Sequence, residues 1–182
     1  IVSAHWQTRA PQVRVTGAAR PPLIYDFGGF PDEMYALEYP APGAPELARE
    51  LVDALASAHA VDGAPKWDAA LDEMRGWDHG AWVPLRLAYP AADVPVVQLS
   101  LPTASPAALV ALGRALASFR ARGVLVVGSG TVVHNLRALG VAAPWAQAFD
   151  AWFADAVARH DVDALAAWRT RAPDAASAHP TS

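Results

Sequence analysis

Short runs with an apolar residue at every second position alternate with longer runs of helical period, and the switches between them lay out the chain. Residues 1–5 read as a short strand that delivers His5 and Trp6 at its C-terminal edge, and residues 13–15 as a second extended piece. From 21 to 43 the apolar positions are aromatic and lie among prolines and glycines: Tyr25, Phe27, Phe30, Tyr35 and Tyr39. That composition predicts a long ordered loop of the kind that carries binding residues. Pro45 stands where a helix begins, and Leu47, Leu51 and Leu55 recur at helical spacing to about His59. A less regular stretch runs to Gly76. Trp77-Asp78-His79-Gly80 then reads as a turn feeding a short helix that carries Leu85 and Leu87.

The clearest unit follows. Residues 94–101 form an apolar, β-branched run, Ser105 and Pro106 suit an N-cap and first helical residue, and Leu109, Leu112, Leu116 and Phe119 give one helix face. Gly123 ends that helix, and residues 124–127 read as a second buried strand. Strand, helix and strand at this spacing predict a βαβ unit with parallel strands and a right-handed crossover. Gly128-Ser129-Gly130 and Val133-His134-Asn135-Leu136 come next. Beyond them, residues 144–159 predict a helix with Phe149, Trp152, Phe153 and Val157 turned inward, residues 161–170 predict another, and 173–182 predict a mobile tail. The fold expected is α/β, a mostly parallel central sheet flanked by helices, in one catalytic-type domain over 1–182.

Composition narrows the function. The chain has 182 residues, 53% hydrophobic and 18% charged, as a folded globular domain does. Its net charge of −4, with Lys and Arg scattered singly, opposes nucleic-acid binding. The absence of cysteine leaves His, Asp and Glu as the only strong metal ligands. No apolar run is long enough to span a membrane and no signal peptide is visible, so a cytoplasmic protein is expected. The start at Ile1, inside a strand, and the polar end lead to the expectation of a domain truncated at both ends. Oligomeric state leaves no mark in the sequence.

Histidines are the candidate chemistry. His5, His79 and His134 stand at strand ends or turns beside Trp, Gly or Asn, whereas His59 and His160 fall near helix C-termini, where an imidazole complements the dipole. Each of the first three, taken singly, is also the kind of histidine that serves structure alone. Gly128-Ser129-Gly130 lacks a dinucleotide fingerprint and a Walker lysine. Ser129 lacks the nucleophile elbow of a serine hydrolase. The aromatic loop fits core packing as well as a planar ligand.

Several blocks, in order, resemble one family. Ser3-Ala4-His5-Trp6, Ile24-Tyr25-Asp26-Phe27-Gly28-Gly29-Phe30-Pro31, Tyr39-Pro40-Ala41-Pro42-Gly43, Asp78-His79-Gly80-Ala81-Trp82, Pro95-Val96-Val97-Gln98-Leu99-Ser100 and Val132-Val133-His134-Asn135-Leu136 are similar to motifs of the DODA-type extradiol aromatic ring-opening dioxygenases. These form a branch of the class III, LigB-like superfamily. Ala178-His179-Pro180-Thr181 resembles the approach to the family's last motif. The resemblance implies a LigB-like fold, a catechol substrate such as DOPA, dioxygen, and an iron(II) cofactor, with zinc as the alternative ion. It implies that His5 is a metal ligand, that His134 is the catalytic acid/base, and that His79 hydrogen-bonds in the substrate and oxygen pocket. Tyr25 and Phe27 become pocket walls. The family's other metal-ligating histidines fall upstream of the first strand and beyond the His-Pro-Thr stretch, so residues 1–182 alone are expected to be inactive.

The reading requires His5, His79 and His134 to face one cavity. Two alternatives stay open at this point: a zinc-bound relative with another activity, and a non-catalytic binding protein of the same fold.

Overall fold

The apolar run at the N-terminus extends further than its first five residues and becomes β1 (Val2–Arg9), with Ser3 and Trp6 buried. Period-two burial is cleanest in β2 (Gln12–Thr16), where Val13 and Val15 are fully buried. With β3 (Asp68–Asp72), β4 (Leu99–Thr103) and β5 (Gly128–Ser129) these make one sheet of order β3-β2-β4-β1-β5. β1 pairs in parallel with both β4 and β5, β2 pairs in parallel with β3, and only the β2 to β4 contact is antiparallel. The mostly parallel α/β sheet is therefore as expected. This computed structural model describes residues 1–58, 65–140 and 142–180, so His59, Thr181 and Ser182 lie outside the described residues. Its contacts gather into two units, Ile1–Gly130 and Thr131–Ser182.

In the first unit, α1 (Pro45–Ser57) and α3 (Pro106–Arg120) start at their prolines, and the Ser105 hydroxyl accepts from Ala108 N as the N-cap. Leu51, Leu55, Leu112, Leu116 and Phe119 pack with Val13, Val15 and Leu99 into the principal core. Gly123, at φ +83°, takes the left-handed conformation just past α3. α2 (His79–Ala88) follows the Trp77-Asp78 turn, as its sequence predicts.

Three strand expectations need correction. β3 went unanticipated because Asp68-Ala69-Ala70-Leu71-Asp72 contains no β-branched residue; five successive pairings with β2 make it a strand. The strand expected over 94–101 starts later, at Leu99, and of its first residues Val96 makes only an isolated bridge to Gly43. The buried strand expected over 124–127 is not one: Leu125 is 64% and Val126 40% exposed, and ladder pairing is confined to Gly128 and Ser129. The βαβ unit persists with these shifted bounds, because β4 and β5 flank β1 and both run parallel to it. An apolar hollow of about 540 Å³, lined by Leu47, Leu85, Val96, Phe119 and Leu125 among others, contains none of the candidate histidines.

The second unit holds α4 (Pro144–Ala158), α5 (Val162–Ala166), α6 (Trp168–Arg171) and α7 (Ala175–Ala178). Phe149 is buried there as expected, whereas Val157 is exposed. The helix expected over 161–170 is broken at Ala167. The tail is ordered through residue 180: Ala175 and Ala178 are buried, and the His179 ring packs 5.6 Å from Phe149 and 5.2 Å from Trp168. Small alanines let α7 approach closely, a packing role that a composition rich in Ala, Ser and Pro conceals.

Candidate active site

His5 lies within β1, where the register against β4 shifts between Val2 and Gln7. Ala4 and His5 are both exposed in consequence, so the strand's alternation breaks and the imidazole turns outward. The start of α2 is fixed beneath it. Asp78, fully buried, caps the helix by accepting from Ala81 N at 3.1 Å, and the same Oδ1 accepts from the Ser3 hydroxyl at 2.6 Å. Its Oδ2 accepts from Gln98 Nε2 and lies 3.5 Å from the Arg75 guanidinium. Strand β1, helix α2 and the approach to β4 thus share one buried carboxylate.

Gly80 is required at this joint. A Cβ there would come within 2.5 Å of Ser3 Oγ and 2.9 Å of His5 Cδ2. Pro84, four residues on inside α2, has no N–H for the Gly80 carbonyl, and that carbonyl accepts the Ser129 hydroxyl at 2.5 Å instead. Ser129 is accordingly a structural donor joining β5 to α2.

The aromatic loop is pinned to the same helix. Ile24 N donates to Trp77 O at 2.8 Å, and Trp82 Nε1 donates to Ile24 O at 3.1 Å. Asp26, two residues later, meets His79: its Oδ1 accepts from His79 N at 2.9 Å and lies 2.8 Å from His79 Nδ1. Its Oδ2 stands 3.9 Å from His5 Nδ1. The two imidazoles pack with ring centroids 4.0 Å apart. Burial raises the Asp26 pKa, but the hydrogen bonds from His79 N–H and its ring outweigh that and hold it below its ordinary 3.8.

One ligand atom from each of His5, Asp26 and His79 falls within 4.8 Å of the others. Asp26 and His79 are bonded to each other, whereas the His5 ring stands 3.9 Å from Asp26 Oδ2, and an imidazole so placed is a donor that fits the iron(II) or zinc implied by the resemblance. Phe27 meets His79 edge-on at 5.6 Å and continues to Tyr35 at 5.2 Å and Phe30 at 5.6 Å. Tyr25 packs on Trp82, and its hydroxyl donates to Leu37 O, so it holds the loop together behind this wall.

His5 and His79 are therefore brought together, with Phe27 alongside. His134 belongs to the second unit, where its exposed side chain precedes a 3-10 turn (Leu136–Ala138). His134 N donates to Ala178 O at 2.9 Å, Asn135 Nδ2 donates to Ser177 O at 2.8 Å, and His179 Nε2 lies 2.8 Å from Val132 O. The Val-His-Asn and Ala-His-Pro motifs are thus laced to each other. Asp26 is the site residue that sequence reasoning missed. Its signal was available, since it is the sole charged residue between 21 and 31.

Comparison with known proteins agrees with this architecture. The family model described as the catalytic LigB subunit of aromatic ring-opening dioxygenase matches residues 1–182. A 4,5-DOPA dioxygenase extradiol of Beta vulgaris is 42% identical over 99% of this chain and 66% of its own length. The 4,5-DOPA dioxygenase extradiol of Escherichia coli is 44% identical over 82% of this chain and 54% of its own. The chain thus spans between about half and two thirds of these relatives. The crystal structure of the uncharacterized protein JW3007 from Escherichia coli K12 superposes with TM-score 0.74 at 34% identity, covering 99% of this chain and 68% of that one. A parallel sheet that sets two imidazoles against an aromatic loop, matched by the family model from its first residue to its last, makes this chain a member of the LigB family of aromatic ring-opening dioxygenases.

Proposed function

We propose that the protein is an extradiol dioxygenase that opens the ring of a catechol, DOPA being the model substrate, and that this chain supplies much of its active site. The observation that carries the reading is the His5 and His79 pair, 4.0 Å apart, bordered by the edge of Phe27. The relatives named for 4,5-DOPA cleavage support it.

His5 is the metal ligand in this reading, and iron(II) is the preferred ion, with zinc the alternative. Iron(II) held there would supply the Lewis-acid and redox chemistry that catechol and dioxygen need. The protein's residues do the rest. Phe27, backed by Tyr25, offers a flat apolar wall to the aromatic ring. His79 hydrogen-bonds in the pocket for substrate and dioxygen. His134 takes a proton from a catechol hydroxyl and returns it before ring opening, as an imidazole with one donor and one acceptor nitrogen can. The ring opens beside the paired hydroxyls, and both atoms of dioxygen end in a muconic semialdehyde-type product.

The test is oxygen uptake by the protein as its gene encodes it, with iron(II) or zinc and DOPA or catechol. Iron-dependent uptake with a ring-opened product is expected. His134→Ala should lower turnover by about 100-fold or more, the range for loss of a general acid/base. Normal turnover in that variant would remove His134 from the chemistry, and uptake in neither metal form would overturn the function.

A further inference from the structure

Asp26 has no role in the resemblance, yet it is the charged group that touches the site most closely. A carboxylate accepts hydrogen bonds and donates none, so the 2.8 Å contact with His79 Nδ1 places the imidazole hydrogen on Nδ1. The ring's other nitrogen, Nε2, is then a free acceptor in the neutral form. The same Oδ1 is anchored by His79 N at 2.9 Å, which ties the carboxylate to the backbone at the start of α2. His5 at 4.0 Å and Phe27 at 5.6 Å pack against the ring and limit its rotation.

Resting on the reading above that His79 lines the substrate pocket, we infer that Asp26 is a positioning residue, which fixes the tautomer and rotation of His79 so that Nε2 is presented to accept the hydrogen of a catechol hydroxyl. The chemistry favours a carboxylate in this place. An imidazole whose one nitrogen is bound to a carboxylate is held in a single tautomer and is a better acceptor at the other. Without it the ring would take the Nε2–H form preferred by free imidazole in water, and would present a donor where the substrate also has one. The pairing of two donors costs the hydrogen bond and leaves the hydroxyl unsatisfied.

The inference is tested by long-range nitrogen–proton NMR correlation of the His79 ring in the full protein, at pH about 8.5, above the ordinary imidazole value. Wild type is expected to show the Nδ1–H pattern. Asp26→Ala should convert it to predominantly Nε2–H, and Asp26→Asn, whose amide oxygen can still accept, should keep Nδ1–H. A purely structural Asp26 would leave the tautomer alike in wild type and Asp26→Ala, and that result overturns the inference. Bound metal counted in the same samples should be equal; loss of metal in both variants would make Asp26 a ligand and would also overturn it. This readout needs no turnover, so it stands apart from any failure of the dioxygenase reading. Where turnover is measured, Asp26→Ala should lower kcat about 10- to 100-fold, the range for outer-sphere partners, with a smaller change in KM.

Discussion

Asp26 and Asp78 both meet the N-terminus of α2, and they hold different things. Asp78 is fully buried and joins parts of the scaffold, through the side chains of Ser3, Gln98 and Arg75 and the backbone of Ala81. Asp26 is partly open to solvent on a loop and holds an imidazole. The contrast separates support from function: the buried carboxylate sets where the helix begins, and the exposed one sets how a side chain on that helix is turned. A charge deep in the protein is tolerated because every oxygen has partners, and losing it strands those partners. A charge at the rim is hydrated in either state and contributes little to stability.

Asp78→Ala should show the largest effect, a loss of about 3–5 kcal/mol in urea denaturation, because the Gln98 amide, the Ser3 hydroxyl and the Arg75 cation lose their acceptor inside the protein. A loss like that of a surface mutation would erase the distinction drawn between the two aspartates. Gly80→Ala ranks next. Its methyl must displace Ser3 and His5, at about 1–3 kcal/mol for overpacking, and metal binding should weaken because the His5 ring moves. Unchanged metal affinity in that variant would show that the site tolerates a shifted His5.

The smallest effect belongs to Asp26. Asp26→Ala should cost less than about 1 kcal/mol near neutrality, and its pH dependence has a definite sign. The folded pKa lies below 3.8, so the contribution is complete above 3.8 and fades as pH falls through the lower folded value. Stability curves of wild type and Asp26→Asn should run parallel at higher pH and converge on acidification below that value. Convergence on raising the pH would reverse the assignment of which state holds the proton.

Much of this was legible beforehand where a residue acts locally. Pro45, Ser105-Pro106 and Gly123 mark helix ends by their own backbone chemistry, and α1 and α3 fall where they predict. His5 and His79 were legible through the motifs around them. What escaped depends on distant partners. Residues 68–72 gain strand structure only from β2, and within 124–127, strand-like in composition, Leu125 and Val126 stay exposed because the ladder reaches only Gly128 and Ser129. The bond between Asp26 and His79 joins positions 53 apart, which no local pattern encodes. The placement of residues 173–180 likewise comes from buried alanines, Ala175 and Ala178, that resemble a linker in composition.

The place of β4 has a consequence for synthesis. β1 and β2 are nearly continuous in the chain, yet β4 lies between them, and the Ser100 hydroxyl contacts Thr8 Oγ1 at 3.1 Å and receives Arg14 N at 2.9 Å. On the ribosome the first two strands therefore emerge long before the strand that separates them, and they must stay apart rather than close as a hairpin. β1, which carries His5, gains β4 as its neighbour only after residue 103 has cleared the exit tunnel. Such distant pairing makes for slow folding and leaves a nascent sheet open to misassociation in the meantime.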